Sequence, residues 1–136
     1  MTEVVLDASV VAKWFSPRTE EGQADAHLIR KRYGAGELLV VVPPLLFLEL
    51  INLAARRWAW EEAAVLTMAI SLEELDFEVG ESELAAVAAW ASRGLTAYDA
   101  AYVALAEARG IRLVTDDQRI LEVAPGIAMG MAAAVS

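Results

Sequence analysis

The sequence predicts an α/β fold in which a parallel sheet is covered by helices on both faces. Short runs of branched apolar residues alternate with longer helical segments, and no repeat or low-complexity tract interrupts them. One run, Leu38 to Val42, contains only Leu and Val, which is typical of a strand buried on both faces. We expect one domain over residues 1–136, since a chain of 136 residues can enclose a single core.

The strands are expected where a short apolar run ends at a polar or turn-forming residue. The first run ends at Asp7, the second at Pro43-Pro44 and the fourth at Asp116. The predicted strands cover residues 4–6, 38–42, 77–79, 112–115 and 127–131, the last as an edge strand.

The helices are expected where apolar residues recur at helical spacing between residues that start or stop helices. Pro43-Pro44 precedes the third helix, and Gly34, Gly94 and Gly110 follow the second, fifth and sixth. The third helix is apolar on nearly all sides, which indicates a buried position. The predicted helices cover residues 10–15, 20–33, 45–58, 61–75, 81–92, 96–109 and 118–123.

Composition and charge exclude several classes of site. The chain has no Cys, which excludes disulfides, thiolate nucleophiles and Cys-based zinc sites, and its one histidine, His27, excludes pairs of His within the chain. Neither Lys13 nor Lys31 lies in a phosphate-binding loop motif. The net charge of −9 disfavours a general polyanion-binding surface, but it is compatible with a site that concentrates metal cations.

The apolar content indicates a partner. Hydrophobic residues make up 57% of the chain, more than a small domain readily buries, so we expect self-association or a protein partner. Trp58, Trp60 and Leu66 are candidate contact residues, with ordinary core packing as the alternative. The apolar runs are too short to cross a membrane, and no export signal is visible, so we expect a cytoplasmic protein without membrane contact.

Acidic residues stand where predicted strands end and helices begin. Asp7 follows the first strand, Asp116 and Asp117 follow the fourth, and Asp99 lies in the first turn of the sixth helix. Because parallel strands end on the same side of a sheet, these carboxylates are expected to converge in one crevice. Each also has a simpler interpretation in helix capping. Asp7 or Ser9 could cap the first helix, and Asp116 or Asp117 could cap the last. Thr96 to Asp99 fits a capping box of the sixth helix, with Thr96 as the cap and Asp99 in place of Glu.

Glu49 is difficult to explain as a structural residue. Apolar residues surround it in the third helix, and no basic residue lies three or four positions away to pair with it. Burying a lone carboxylate costs desolvation free energy, so the carboxylate needs a cation, a metal or water beside it. Asn52 and Arg56 extend a polar stripe from Glu49 along one face of the helix.

Converging carboxylates indicate a divalent metal site. Several carboxylates in one crevice repel one another unless a cation neutralises them, and Mg²⁺ and Mn²⁺ prefer oxygen ligands of this kind. Such an ion can activate water and hold the oxygens of a phosphodiester. That chemistry needs no His, Cys or Lys, residues that this chain nearly lacks.

Four segments have the pattern of a known family, and the third is the most specific. They are Val4-Val5-Leu6-Asp7-Ala8-Ser9, Leu48-Glu49-Leu50-Ile51-Asn52, Leu95-Thr96-Ala97-Tyr98-Asp99-Ala100-Ala101-Tyr102-Val103-Ala104-Leu105-Ala106 and Leu113-Val114-Thr115-Asp116-Asp117. In these segments the sequence resembles the PIN-domain ribonucleases, in particular the VapC-like toxins of type II toxin–antitoxin pairs. The resemblance runs nearly end to end and is weak from residue 126 onward.

The resemblance implies a catalytic metal site with a defined set of ligands. Its acidic members are Asp7, Glu49, Asp99 and Asp117. The position of Asp116 is often merely polar in the family, so Asp116 either adds a fifth carboxylate or only caps the last helix.

Other residues are assigned supporting or contact roles. Ser9 and Thr115 match small hydroxyl residues that commonly support the family's metal site by hydrogen bonds. Asn52 and Arg56 are weaker candidates for contacts with substrate or partner. Arg56 and Arg57 are candidates for contacts with phosphate or antitoxin, with solvated helix charges as the alternative.

The resemblance also implies an architecture, an activity and partners. The fold is a PIN-like three-layer α/β/α sandwich around a parallel sheet of about five strands, usually in a homodimer. The implied activity is Mg²⁺- or Mn²⁺-dependent endonucleolytic cleavage of RNA by metal-activated water. A cognate antitoxin protein is implied to bind over or near the site and silence it.

Two alternatives belong to other functional classes. One is a non-toxin or non-catalytic PIN-fold module that only binds another protein. The other is a phospho-acceptor domain, receiver-like or haloacid-dehalogenase-like, which also places an Asp at a strand end. The dehalogenase pattern requires a second Asp at the position where this chain has Ser9. Both patterns typically need a Lys near the end of a late strand, whereas no Lys follows Lys31 in this chain.

Overall fold

The structure is a computed structural model that describes residues 2–136. Five parallel strands form one sheet in the order β3-β2-β1-β4-β5, with helices flanking it, so the predicted α/β/α fold class is confirmed. The strands are β1 (Thr2–Leu6), β2 (Leu38–Val42), β3 (Glu78–Val79), β4 (Arg112–Val114) and β5 (Ala128–Met129).

Eight α-helices and one π-helical segment are described around this sheet. The α-helices are α1 (Ala8–Phe15), α2 (Gln23–Gly34), α3 (Leu45–Asn52), α4 (Glu62–Glu74), α5 (Leu84–Ala91), α6 (Ala97–Arg109), α7 (Gln118–Val123) and α8 (Met131–Val135). The π-helical segment Leu53–Arg57 continues directly from α3. α6 packs against β1, β4 and α5, whereas α2 packs against β2, α1 and α8.

The core lies where the central strands meet α6. Val5 and Val41, in β1 and β2, are fully buried, in agreement with their apolar runs. Residues 100–106 of α6 are all buried, and several of them are Ala, which allows the helix to approach the sheet closely. Tyr102 is the largest fully buried side chain and the one polar side chain among these residues.

Two helices begin three residues later than predicted, because the preceding residues adopt other backbone conformations. α2 begins at Gln23 rather than at residue 20, since Gly22 has a left-handed backbone with φ of +80°. α5 begins at Leu84 rather than at residue 81. There Ser82 donates a hydrogen bond to the carbonyl of Ala101 (2.6 Å), and Glu83 is extended.

The predicted helix over residues 45–58 is interrupted. Its last turn is π-helical, with the backbone N–H of Trp58 donating to the carbonyl of Leu53 (3.0 Å). Apolar periodicity could not show this change, because a π turn alters the helix by one residue without a change in composition.

The end of the chain contains a helix that was not predicted. β5 covers only Ala128–Met129, and α8 follows it and packs against α2. Met131 is buried there, and the guanidinium of Arg32 donates to the carbonyls of Ala134 (3.5 Å) and Val135 (3.0 Å). Both contacts are with distant parts of the sequence, so the local pattern did not reveal them.

The order of the strands creates a crevice beside the central strand. From β1 the chain proceeds outward to β2 and β3 and then returns to the other side of β1 as β4. The helices that follow β1 and β4 therefore leave this point in different directions, which in open α/β sheets opens a ligand crevice at the carboxyl ends of the strands. Leu6 pairs with Val114 at this end, so the residues after them become neighbours.

Candidate metal centre

Asp7 lies at the carboxyl end of β1, in the crevice, and its backbone N–H donates to the carbonyl of Val114 (3.0 Å). Its carboxylate oxygen Oδ2 accepts hydrogen bonds from Ser9 Oγ (2.6 Å) and Thr115 Oγ1 (2.9 Å). Burial raises the pKa of Asp7, and the nearby charge of Asp117 adds to the rise. Two neutral donors therefore hold a carboxylate that is only 5% exposed.

The capping alternatives for the first helix are not supported. Asp7 occupies the N-cap position of α1, but its side chain makes no capping hydrogen bond. Ser9 lies inside the helix, and its hydroxyl is directed to Asp7 and accepts from the backbone N–H of Asp116 (3.0 Å). Both hydroxyls that were expected to support the site thus contact its central carboxylate.

Asp116 and Asp117 point to different partners. Oδ1 of Asp117 accepts from the backbone N–H of Ile120 (3.0 Å), so Asp117 caps α7. Oδ2 of Asp116 lies 3.2 Å from Nζ of Lys13, a residue that is almost fully buried. Of the two alternatives for Asp116, capping of the last helix is not supported, because Asp117 fills that role and Lys13 pairs with Asp116.

Glu49 enters the crevice from α3 and is partly buried. The phenol of Tyr102 donates a hydrogen bond to Glu49 Oε1 (2.6 Å) from the buried side of α6. Burial raises the pKa of Glu49, and the charges of Asp7 and Asp99 add to this rise. Burial and the charge of Glu49 raise the pKa of Tyr102 as well, so the phenol remains a donor.

Tyr102 was not among the predicted site residues. Its side chain is fully buried among the apolar residues of α6. Its position three residues after Asp99 puts both on one face of α6, which is the signal that could have identified it.

Asp99 lies in the first turn of α6. The hydroxyl of Thr96 accepts from the backbone N–H of Asp99 (3.1 Å), so Thr96 provides the predicted cap of this helix. Burial raises the pKa of the Asp99 carboxyl, followed by the charges of Asp7 and Asp117. The carboxylate therefore lies within the electrostatic reach of the strand ends.

We call Asp7, Glu49, Asp99 and Asp117 the acidic set. Their negative charges repel one another. None of its members takes part in an ion pair found within residues 2–136. Their ligand atoms are carboxylate oxygens, the donors that hard divalent cations prefer, so the set fits such a cation chemically. Within the same residues, however, no three acidic or histidine side chains are already gathered closely enough to share an ion.

The weaker candidates differ in how far they are exposed to solvent. Asn52 and Arg56 are both exposed, one in the last turn of α3 and the other in the π-helical segment. Trp58 and Trp60 are partly buried and pack against each other, with ring centroids 5.1 Å apart. Leu66 is 58% exposed, as expected for a contact residue rather than for the core.

Comparisons with known proteins agree with this geometry. Residues 4–125 match the family described as PIN domain. Among solved structures, the chain is similar to the crystal structure of PAE2754 from Pyrobaculum aerophilum. The TM-score is 0.71 and the identity 26%, over 98% of this chain and 87% of that one. A comparison with curated proteins gave no significant match.

Two further observations concern the class of protein. PIN domains are generally nucleases that use divalent metals. None of the helices described between residues 2 and 136 has both the length and the apolar content that crossing a membrane requires. The match over residues 4–125 covers most of the sequence, and the chain belongs to the PIN-domain family.

Proposed function

We propose that residues 1–136 act as one PIN domain, a Mg²⁺- or Mn²⁺-dependent endoribonuclease that hydrolyses phosphodiester bonds of RNA. PIN nucleases act on RNA or DNA. The observation that best supports the proposal is the acidic set at the crevice. Burial and mutual repulsion raise the pKa values of three of its members, Asp7, Glu49 and Asp99, and a divalent cation would relieve that repulsion.

The residues of the site divide into ligands and supporting groups. The acidic set would hold the cation, which when bound lowers the pKa of a water and neutralises charge on phosphodiester oxygens. Ser9 and Thr115 orient Asp7, and Tyr102 orients Glu49. These donors are neutral, so they order the carboxylates without cancelling the charge that attracts a cation. Asp116 is left out of the set because Lys13 pairs with it.

The activity is tested with labelled RNA and matched variants. We expect cleavage to require added Mg²⁺ or Mn²⁺, to stop in EDTA, and to fall by more than about 100-fold in Asp7→Asn and Asp99→Asn. Asp25→Asn removes an acid of α2 outside the acidic set and should cleave normally. Cleavage that survives EDTA, or that is equal in all three variants, would contradict the metal mechanism.

We further propose that the chain is a VapC-like toxin, a cytoplasmic homodimer that a cognate antitoxin silences. Support comes from exposed apolar side chains on α3 and α4. Leu48, next to Glu49, is 70% exposed, and Leu66 and Ile70 on α4 are each 58% exposed. A protein that covered Leu48 would bury apolar area and close the crevice together.

The toxin role is tested in cells. Expression of the chain should arrest growth, Asp99→Asn should not, and a small protein encoded beside it should restore growth. Sedimentation should show a dimer. Normal growth despite demonstrated RNA cleavage would contradict the toxin role and leave the nuclease activity standing.

A second candidate is a PIN-fold module that binds protein without catalysis. It is favoured by one observation, that no three acidic side chains are gathered closely enough for an ion within residues 2–136. Calorimetry with Mn²⁺ separates the two candidates, because the module should give no binding heat and no cleavage. Membership of the PIN family leaves the phospho-acceptor alternative without support.

A further inference from the structure

A cavity of about 630 Å³ opens beside the acidic set. Its walls come from α1, the loop of residues 16–20, the π-helical segment and Asp116. Ser9 belongs to both places, because it lines the cavity and donates to Asp7 Oδ2 (2.6 Å). Only the side chain of Ser9 would therefore separate a ligand at this wall of the cavity from the carboxylate of Asp7.

The lining of this cavity differs in charge from the acidic set. Lys13, Arg18 and Arg57 contribute three cations, against the two acids Glu20 and Asp116. The chain as a whole is strongly acidic, with a net charge of −9. A polyanionic strand would be repelled by most of such a surface, so it needs local cations where it approaches the carboxylates.

We infer that the cavity binds a nucleotide of single-stranded RNA next to the phosphodiester that is cleaved, through its phosphate. The inference rests on the proposed function and supplies what the acidic set cannot, an attractive contact for the strand. Cations that follow a phosphate backbone beside an aromatic side chain are characteristic of sites for single strands. Trp58 lines the cavity and offers that aromatic wall.

The two sorts of cation would act differently. Lys13 is 8% exposed, and Asp116 fixes its ammonium group at 3.2 Å, so it provides a stationary charge in the wall. Arg18 and Arg57 are exposed, and a guanidinium can bind two phosphate oxygens at once. The arginines are therefore the residues to change, because removing Lys13 would also leave Asp116 unpaired.

The exposed face of α2 provides a matched control. Arg30 and Lys31 are both exposed, but unlike Arg18 and Arg57 they are not among the residues that line the cavity. The double variants Arg18→Ala/Arg57→Ala and Arg30→Ala/Lys31→Ala remove the same number of positive charges. Long-range electrostatics changes equally in both, so a difference between them reports the cavity.

Binding is measured by fluorescence anisotropy with fluorescein-labelled single-stranded RNA of mixed sequence, in an Asp99→Asn background that prevents cleavage. We expect the cavity double variant to raise Kd by about 10-fold and the control by less than about twofold. The slope of log K against log salt should fall by about 1.4 in the cavity variant, for two lost contacts with a single strand. With Asp99 restored, the cavity variant should raise KM more than it lowers kcat.

The outcomes separate this inference from the proposed function. Equal losses in the two double variants, or a larger loss in the control, would overturn the assignment of the cavity. If the unmodified chain cleaves RNA in that case, the proposed function stands. If the unmodified chain neither binds nor cleaves RNA, both fail. Thermal melts of each variant exclude unfolding as the cause of a loss.

Discussion

Asp7 and Glu49 enter the acidic set from different parts of the fold and are held in different ways. Asp7 follows a central strand, is 5% exposed and accepts two hydroxyl hydrogen bonds. Glu49 lies on a helix, is partly exposed and accepts one hydrogen bond from a phenol of another helix. Both rely on neutral donors, which fix the geometry of a carboxylate and leave its charge available to a cation.

We expect the position of Glu49 to depend more on its phenol donor than the position of Asp7 depends on either of its two hydroxyl donors. Tyr102→Phe removes the sole phenol that contacts Glu49 Oε1 while keeping the buried ring. We expect Mn²⁺ affinity and RNA cleavage to fall by about 10- to 100-fold, as for other groups that orient metal ligands. Calorimetry and initial rates measure the two effects.

Tyr98→Phe is the matched control for this change. Tyr98 lies one turn away on α6 and is 66% exposed, so its hydroxyl should be dispensable. Equal losses in Tyr98→Phe and Tyr102→Phe would show that the phenol of Tyr102 does not position Glu49.

A smaller effect is expected from the loss of one donor to Asp7, because two hydroxyls donate to this carboxylate. Thr115→Val and Ser9→Ala should each lower Mn²⁺ affinity by about 10-fold, and the double variant by more than the product of the two. Loss of either donor should raise the pKa of Asp7 further and move the pH dependence of cleavage upward.

Thr67→Val controls for the loss of a hydroxyl as such. Thr67 is exposed on α4 and donates to the carbonyl of Ala63 in its own helix (2.9 Å).

A double variant of Ser9 and Thr115 whose losses simply multiply would show that the two donors act independently on Asp7.

The smallest expected effect is on the stability of the metal-free protein. Burial and repulsion raise the folded-state pKa values of Asp7, Glu49 and Asp99 above their ordinary values of 3.8, 4.5 and 3.8. For an acid with a raised folded pKa, stability is greatest below the ordinary value and is lost as the pH rises through the raised one. The unfolding free energy in EDTA should therefore fall from about pH 4 towards neutral pH through these groups.

Urea unfolding at a series of pH values measures this dependence. Asp7→Asn should flatten it, and saturating Mn²⁺ should restore stability at neutral pH, by about 2.7 kcal/mol at 100 times Kd. Metal-free protein that is equally stable across this range in both forms would contradict the repulsion within the acidic set.

The sequence predicted the strand-end half of the site better than the helical half. Asp7 and Asp117 were placed in one crevice because parallel strands end on the same side of a sheet, which follows from topology alone. The hydrogen bond from Tyr102 to Glu49 joins residues 53 positions apart, and the pairing of Lys13 with Asp116 is similarly distant. Local periodicity contains no information on such contacts, so it identified neither Tyr102 as a donor to Glu49 nor Lys13 as the partner of Asp116.

The π-helical turn between Glu49 and Arg57 has a consequence for how this site can vary. An i→i+5 closure takes in one residue more than an α-helical turn, so everything after it is rotated by about 100° around the helix axis. Removing one residue there would restore a continuous helix and turn Arg57 away from its present direction while leaving Glu49 in place. A change of one residue in length can thus alter the direction of Arg57 in the cavity wall without disturbing the carboxylates.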